Sequence, residues 1–403
     1  MLRKDKLTLV TLCAGHFVSD SYSSVIYPLL PLLAAKLRLT SSQVFLLAPL
    51  YAISSSLMQP VYGVIADRYA KRLFVVFGPV ITAVFVSLIG LAPSYAVLMA
   101  LLMAAGIGIG SFHPQGAAMA AAASGDRRRI GMAMFSAFGT LGFAVGPFMI
   151  TRLVSAVGLE HSYYIVFMGA VISALLFRYC PPLISPVSGS VARPMSAPRL
   201  RTALGAVWKP LVLLYAIMVI RSGLQVTTNN YMPFLLSEQG YGLTYTGNVL
   251  TVFLLAGGLG GLAGGFVAEK FSGRSVTLYS GLLAGPLMIA AFSTTGPLST
   301  VLLGAGGFVL LSTIPVIIAM AQELVPGQTS TVSALMMGAA WGIGALSPAL
   351  LDSFVPAFGF RRVLVFASAF TLVAGGLAYF LPREEGARQP LIESDLATAT
   401  AGD

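Results

Sequence analysis

The chain has 403 residues, 57% of them hydrophobic and 9% charged, with a net charge of +10 and a mean hydropathy of +0.86. Soluble domains carry about 25% charged residues, so this composition excludes an ordinary soluble fold and makes lipid the solvent. The sequence has no run of ~10-residue alternating strands, which argues against an outer-membrane barrel, and no nucleotide loop, metal-ligand spacing or hydrolytic triad, which argues against an enzyme or an ATP-driven pump. No cofactor, metal or nucleic-acid partner is expected.

Long apolar runs recur along the whole chain, each near the ~20 residues that cross a ~30 Å hydrocarbon core as a helix. Read in order they fall at 7–35, 43–66, 73–92, 95–122, 130–155 and 161–179, then at 209–237, 243–268, 275–293, 298–322, 329–354 and 361–381. The fold class is all-α integral membrane, with twelve spans in two six-helix bundles, 1–179 and 209–381. Residues 180–208, rich in Pro, Ser and Arg, read as a linker. Residues 382–403 read as a disordered polar tail. With the N-terminus inside, eighteen Lys and Arg fall on the cytoplasmic side and five on the other, which satisfies the positive-inside rule with both termini cytoplasmic. Cys13 and Cys180 are the two cysteines, and no disulfide between them is expected.

In the first span His16 and Asp20 lie four apart and so share a helix face, which Ser24 and Tyr27 continue. An ionisable residue inside a span costs at least ~3 kcal/mol on insertion scales and is a functional candidate by default. GVIADRYAKR (63–72) fills the loop after the second span. Gly63 permits close helix packing, Asp67 is suited to the positive N-terminal end of the eleventh helix near Thr329, and Arg68, Lys71 and Arg72 to carboxylates or to neighbours of that helix. Such contacts exist only while the cytoplasmic side is closed, which makes them gating candidates. The alternative is a loop whose charges merely stay inside.

The fourth span carries SFHPQ (111–115), with His113 beside a proline that leaves carbonyls unpaired. The fifth carries GTLGFAVGP (139–147), whose Gly139, Gly142 and Gly146 clear one face for a neighbour and whose Pro147 permits a bend. Gly146 and Pro147 are counted with the gate. In the seventh span Arg221, Gln225 and Asn229 form a second polar stripe. Asp20 and Arg221 occupy nearly equivalent heights on the first helices of the two halves. An approach between them, direct or through water, would neutralise both, either as a working site or as a static pair holding the halves together. Glu323 and Asp352 lie near helix ends, where solvation accounts for them.

The halves repeat at an offset of 202. Gly63, Asp67, Arg68 and Arg72 recur as Gly265, Glu269, Lys270 and Arg274, and Pro31 recurs as Pro233. Gly146-Pro147 recurs as Ser347-Pro348, and His113-Pro114 as Ile314-Pro315, both at 201. Six spans per copy is an even number, so both copies insert in one orientation, as a parallel repeat about the membrane normal.

The loop signature at 63–72 and the Gly-Pro motif at 139–147 resemble those of the major facilitator superfamily over residues 7–381. AGHFVSDSYSSVIYPLLPLL (14–33) with GIGSFHPQGAAMA (108–120) is similar to the fosmidomycin resistance branch. That resemblance implies an inner-membrane, proton-driven exporter of a small organic compound, acting as a monomer. Asp20 is then the protonatable carboxylate, with His16 and His113 in or near the binding cavity. Drug exporters of the superfamily carry an arginine four residues before a glycine in span four. That position here is Leu102, so coupling by such an arginine is excluded. With that resemblance, Asp20 and His16 are the proton-coupling candidates. His113, Arg221, Gln225, Asn229, Tyr27 and Ser24 are the substrate-binding candidates, with Arg221 favouring an anionic group. The second reading is proton-symport uptake of a sugar, organic acid or related metabolite. A non-transporting membrane protein is a different class, against which the charges inside spans and the paired loop motifs both argue.

Overall fold

The computed structural model describes residues 3–68, 71–125, 128–181, 197–325, 332 and 334–382. Among these residues the chain is helical without strands. The first group comprises α1 (Arg3–Ser24), α2 (Ile26–Leu37), α3 (Ser41–Ala52), α4 (Gln59–Arg68), α5 (Lys71–Ser87), α6 (Tyr95–Ala123), α7 (Arg128–Val157) and α8 (Val166–Tyr179). The second comprises α9 (Ala197–Glu238), α10 (Leu243–Phe271), α11 (Gly273–Ser293), α12 (Gly296–Leu311), α13 (Ile314–Leu324), α14 (Ala340–Gly344), α15 (Ser347–Leu351) and α16 (Val355–Tyr379). Large apolar side chains such as Phe167, Phe266 and Leu350 stand exposed on the outside, as hydrocarbon solvent requires.

Ten helices among the described residues are long and apolar enough to cross a membrane, where twelve spans were expected. The opening pair α1–α2 is not one of them, because His16, Asp20 and a run of serines dilute its apolar character. The stretch 335–379 counts once, yet its 45 residues reach about 67 Å at ~1.5 Å each, twice a bilayer core. It bends at Gly359, where φ is 73°. The helix expected from 209 begins at Ala197, so part of the supposed linker continues α9. The rest of the linker, and the tail beyond 382, lie outside the described residues.

Within the first group α1 packs on α7, α6 and α8, and α5 on α6 and α8. Within the second α11 packs on α16 and α12, and α10 on α12. The groups meet where α7 lies along α10, α2 along α9, and α3 beside α14 and α15. The internal repeat shows in one duplicated contact. Arg72 donates to the Phe177 carbonyl and lies over that ring, with the guanidinium carbon 4.8 Å from its centroid. Arg274 donates to the Tyr379 carbonyl with its guanidinium carbon 5.3 Å from that centroid. Both pairs are 105 residues apart and displaced by 202. Arg72 and Arg274, expected to bridge the halves as gates, therefore fasten each half to its own last helix.

The end of the bundle opposite Arg3 is sealed between the two groups. Phe45 of α3 inserts among Tyr231, Phe234 and Phe360, with centroids 4.6, 5.6 and 6.1 Å away. Arg152 donates to Asn248 at 3.0 Å, Ser155 and Thr244 share a hydroxyl contact at 3.0 Å, and Ser41 and Ser42 donate to Asp352.

Candidate functional site

Close approach of α7 to α1 builds the site. Gly139, Gly142 and Gly146 lie at three- and four-residue spacing on one face of α7. A Cβ on Gly142 would lie 2.0 Å from the Phe17 carbonyl oxygen, and one on Gly139 would lie 2.4 Å from His16 Cε1 and 2.7 Å from an Asp20 oxygen. Only glycine fits these two positions. One turn earlier, Phe135 turns its carbonyl to His16 Nδ1 at 2.7 Å and stacks its ring on the imidazole at 4.1 Å. Gly142→Ala places its methyl against backbone, which cannot yield as a side chain can. We expect lower folded yield and a lower thermal midpoint, with Thr140→Ala at the wild-type value. Wild-type melting of Gly142→Ala would show that the helices are not held this close.

Asp20 then sits between two imidazoles. His16 Nε2 is 3.3 Å from one carboxylate oxygen and His113 Nε2, on α6, is 2.8 Å from the other. The three side chains are partly exposed, at 13%, 17% and 24%. Their ligand atoms lie within 4.8 Å of one another, close enough to hold a metal ion. This capacity was not legible in the sequence, where His113 stands 93 residues from Asp20. Near this cluster Tyr27, Tyr51, Leu102 and Asn230 line a small cavity of about 10 Å³. The Tyr51 hydroxyl is buried beside Ser23. A lone tyrosine in an apolar span has no periodic signal, and sequence reasoning passed over it.

The remaining candidates divide. Gln225 and Asn229 are buried, and Gln225 Oε1 and Asn229 Oδ1 have no hydrogen-bond partner among the described residues, an arrangement native interiors rarely leave unexplained. Tyr27 stands edge-on to Phe143 at 6.3 Å. Ser24 is fully buried against α7. Its hydroxyl donates to the Ser21 carbonyl at 3.2 Å and lies against Gly146. Pro147 takes the Thr151 hydroxyl on its carbonyl at 2.8 Å, where Gly247 of α10 crosses it. Glu269 and Lys270 are exposed at the end of α10. The side chains of Gly63, Asp67 and Arg68 and the segment at Thr329 lie outside the described residues.

Arg221 corrects the expected pair with Asp20. It is wholly buried inside the second group and donates to the Leu310 carbonyl at 2.5 Å, Ser280 Oγ at 3.1 Å and the Thr277 carbonyl at 3.4 Å. Leu310 lies in the last turn of α12, so the partly negative C-terminal end of that helix compensates the cation. The reason is rotational. At the offset of 202 the counterpart of Asp20 is Ser222, which bonds the Ala340 carbonyl. Arg221, one residue earlier, is turned by about 100° around the helix, away from the meeting of the halves.

Two groups of membrane-crossing helices, sealed together at one end and carrying ionisable side chains near their junction, define a transporter fold. The chain belongs to the Major Facilitator Superfamily, whose sequence model matches residues 12–248 and 216–401. It is 28% identical over 390 residues to the uncharacterised transporter YfnC of Bacillus subtilis, covering 95% of this chain and 94% of that one. It is also 28% identical to the fosmidomycin resistance protein of Escherichia coli, covering 91% of each. In structure it resembles a bacterial homologue of the human lysosomal transporter Spinster, solved inward-facing and unoccupied. The TM-score is 0.81 at 16% identity, over 94% of this chain and 97% of that one.

Proposed function

We propose that this transporter is a proton-coupled antiporter that exports a small organic compound by alternating access, with the coupling proton held between His16 and Asp20. The geometry of His16 carries the reading. The Phe135 carbonyl can only accept, so His16 Nδ1 bears a hydrogen. A neutral imidazole then presents a bare lone pair at Nε2 to the Asp20 oxygen 3.3 Å away. Two lone pairs at that distance repel. The contact turns attractive when one hydrogen lies between them, on His16 as an imidazolium or on Asp20 as the acid. The cluster thus has a place for one proton beyond the neutral imidazoles and the ionised carboxylate, and His113 holds the second oxygen while that proton comes and goes.

Export follows the likeness to the fosmidomycin resistance protein. With Arg221 committed to α12, the groups left to a small organic substrate are His113, Tyr27, Gln225 and Asn229 as neutral hydrogen-bonding contacts. The bundles 1–179 and 209–381 are the rocking bodies, with Gly146, Pro147 and the loop residues Gly63, Asp67 and Arg68 working at their junction. The chain crosses the membrane twelve times as a monomer in a bacterial inner membrane, its basic end in the cytoplasm beside anionic lipid. Adding fosmidomycin to weakly buffered, purified protein is expected to release protons from the wild type and not from Asp20→Asn. Binding without proton release in the wild type would count against coupling at this site.

The orientation has its own test. Lys270 and Glu160 are exposed at opposite ends of the bundle. A cysteine at Lys270 is expected to label only from the cytoplasm and one at Glu160 only from outside. The reverse pattern contradicts the assignment.

A further inference from the structure

The sequence left Asp352 as a solvated residue at a helix end, and the structure places it elsewhere. It is 6% exposed, at the point where α15 passes into a short 3-10 turn. One carboxylate oxygen accepts from Ser42 Oγ at 2.9 Å and from Ser41 Oγ at 3.2 Å. The other is buried with no partner among the described residues. Arg361, the cation further along the same segment, donates to the Phe292 and Thr294 carbonyls instead. Ser41 and Ser42 open α3, whose first turn is capped by Thr40. A carboxylate from one half therefore rests on the positive end of a helix in the other half, held by two hydroxyls. Bonds to a charged acceptor are among the stronger hydrogen bonds, and the helix N-terminus adds to them.

Further along, the same two segments meet again at two irregular points. Residues 53–57 and 334–339 are both π-helical. A Cβ on Gly338 would lie 3.5 Å from the Ser56 carbonyl oxygen, and Gly342 packs on Leu57. π-segments mark places where a helix departs from regular geometry, often at functional sites. Beyond the bulges the aromatic seal around Phe45 closes the outer end, with Asp352 beside it.

We propose that Asp352 is the outer latch of the transport cycle. Its grip on Ser41 and Ser42 holds the outer end closed, and the second and eleventh spans separate there only when that grip is released. On opening, water replaces the serine hydroxyls around the carboxylate, so the latch biases the two states without freezing either. Asp352 acts on the position of α3 and makes no contact with the Asp20 cluster.

This inference rests on the alternating-access reading. The experiment is pulsed electron spin resonance on protein in nanodiscs, with spin labels at Glu160→Cys and Ser237→Cys, one on each half at the outer end. Cys13 and Cys180 are buried, so the introduced pair carries the label. The wild type is expected to show mainly the short outer distance. Asp352→Ala removes two charge-assisted bonds and is expected to raise the ratio of long to short at least about tenfold, the least that one of them sets. Ser41→Ala with Ser42→Ala, a milder change at exposed positions, is expected to shift the ratio in the same direction, and adding Asp352→Ala to that pair should produce little further change. Two populations whose ratio ignores Asp352 and the serines, or effects that simply add, overturn the latch. A single fixed distance in the wild type and in every variant overturns alternating access itself.

Discussion

Asp20→Asn is expected to leave the protein folded while lowering gradient-driven transport at least about tenfold, the factor a ~1.4 kcal/mol loss sets. The amide suits the site without its proton. Its oxygen accepts from His113 as the carboxylate does, and its NH2 donates to the bare Nε2 of neutral His16, whose Nδ1 stays with Phe135. The contacts of Asp20 with both imidazoles are then satisfied, and no proton remains to exchange. A thermal midpoint near the wild-type value, together with lost coupling, is the signature. Proteoliposomes under an imposed pH gradient supply the transport measurement and melting in detergent supplies the other. If Asp20→Asn still moves fosmidomycin against its gradient at the wild-type rate, the coupling proton lies elsewhere.

Arg221 is expected to matter for stability before it matters for substrate. Arg221→Met keeps much of the volume and removes the donors, leaving the Leu310 and Thr277 carbonyls without the guanidinium. Each buried group left unsatisfied costs about 1–3 kcal/mol, so a loss of roughly 2–4 kcal/mol is expected from the variant. Arg221→Lys restores charge but not the spread of donors across α11 and α12, and falls between the two. Thermal melting without substrate is the measurement. Wild-type melting with weakened substrate binding would return Arg221 to the binding site and remove it from the C-terminal core.

The helical architecture was open to sequence reading because its causes are local. Apolar runs of bilayer length fix the spans, and the duplicated Gly63/Gly265 and Arg72/Arg274 signatures fix the repeat. The same signature misled about contact. Arg72 and Arg274 show that charge kept at equivalent positions can reflect one packing device used twice. The site was half visible. His16 and Asp20 share a face by spacing alone, but their partner His113 comes from another helix and the Phe135 carbonyl belongs to the backbone, which no residue type announces. Arg221 was misplaced because a one-residue choice of offset, trivial along the axis, is a large rotation around a helix. Asp352 was underrated because the end of a span looks like solvent until another helix covers it.

On the proposed function, an organic solute moves because a proton moves the other way through the His16, Asp20 and His113 cluster. Wild-type protein in sealed proteoliposomes tests this with fosmidomycin, the compound in the name of the Escherichia coli relative, as the probe, the pH gradient being imposed in each direction and then collapsed with a protonophore. Accumulation on the acidic side is expected, with reversal when the gradient is reversed and loss of both when it is collapsed. Accumulation on the alkaline side would make the protein a symporter, and transport indifferent to the gradient would contradict proton coupling altogether.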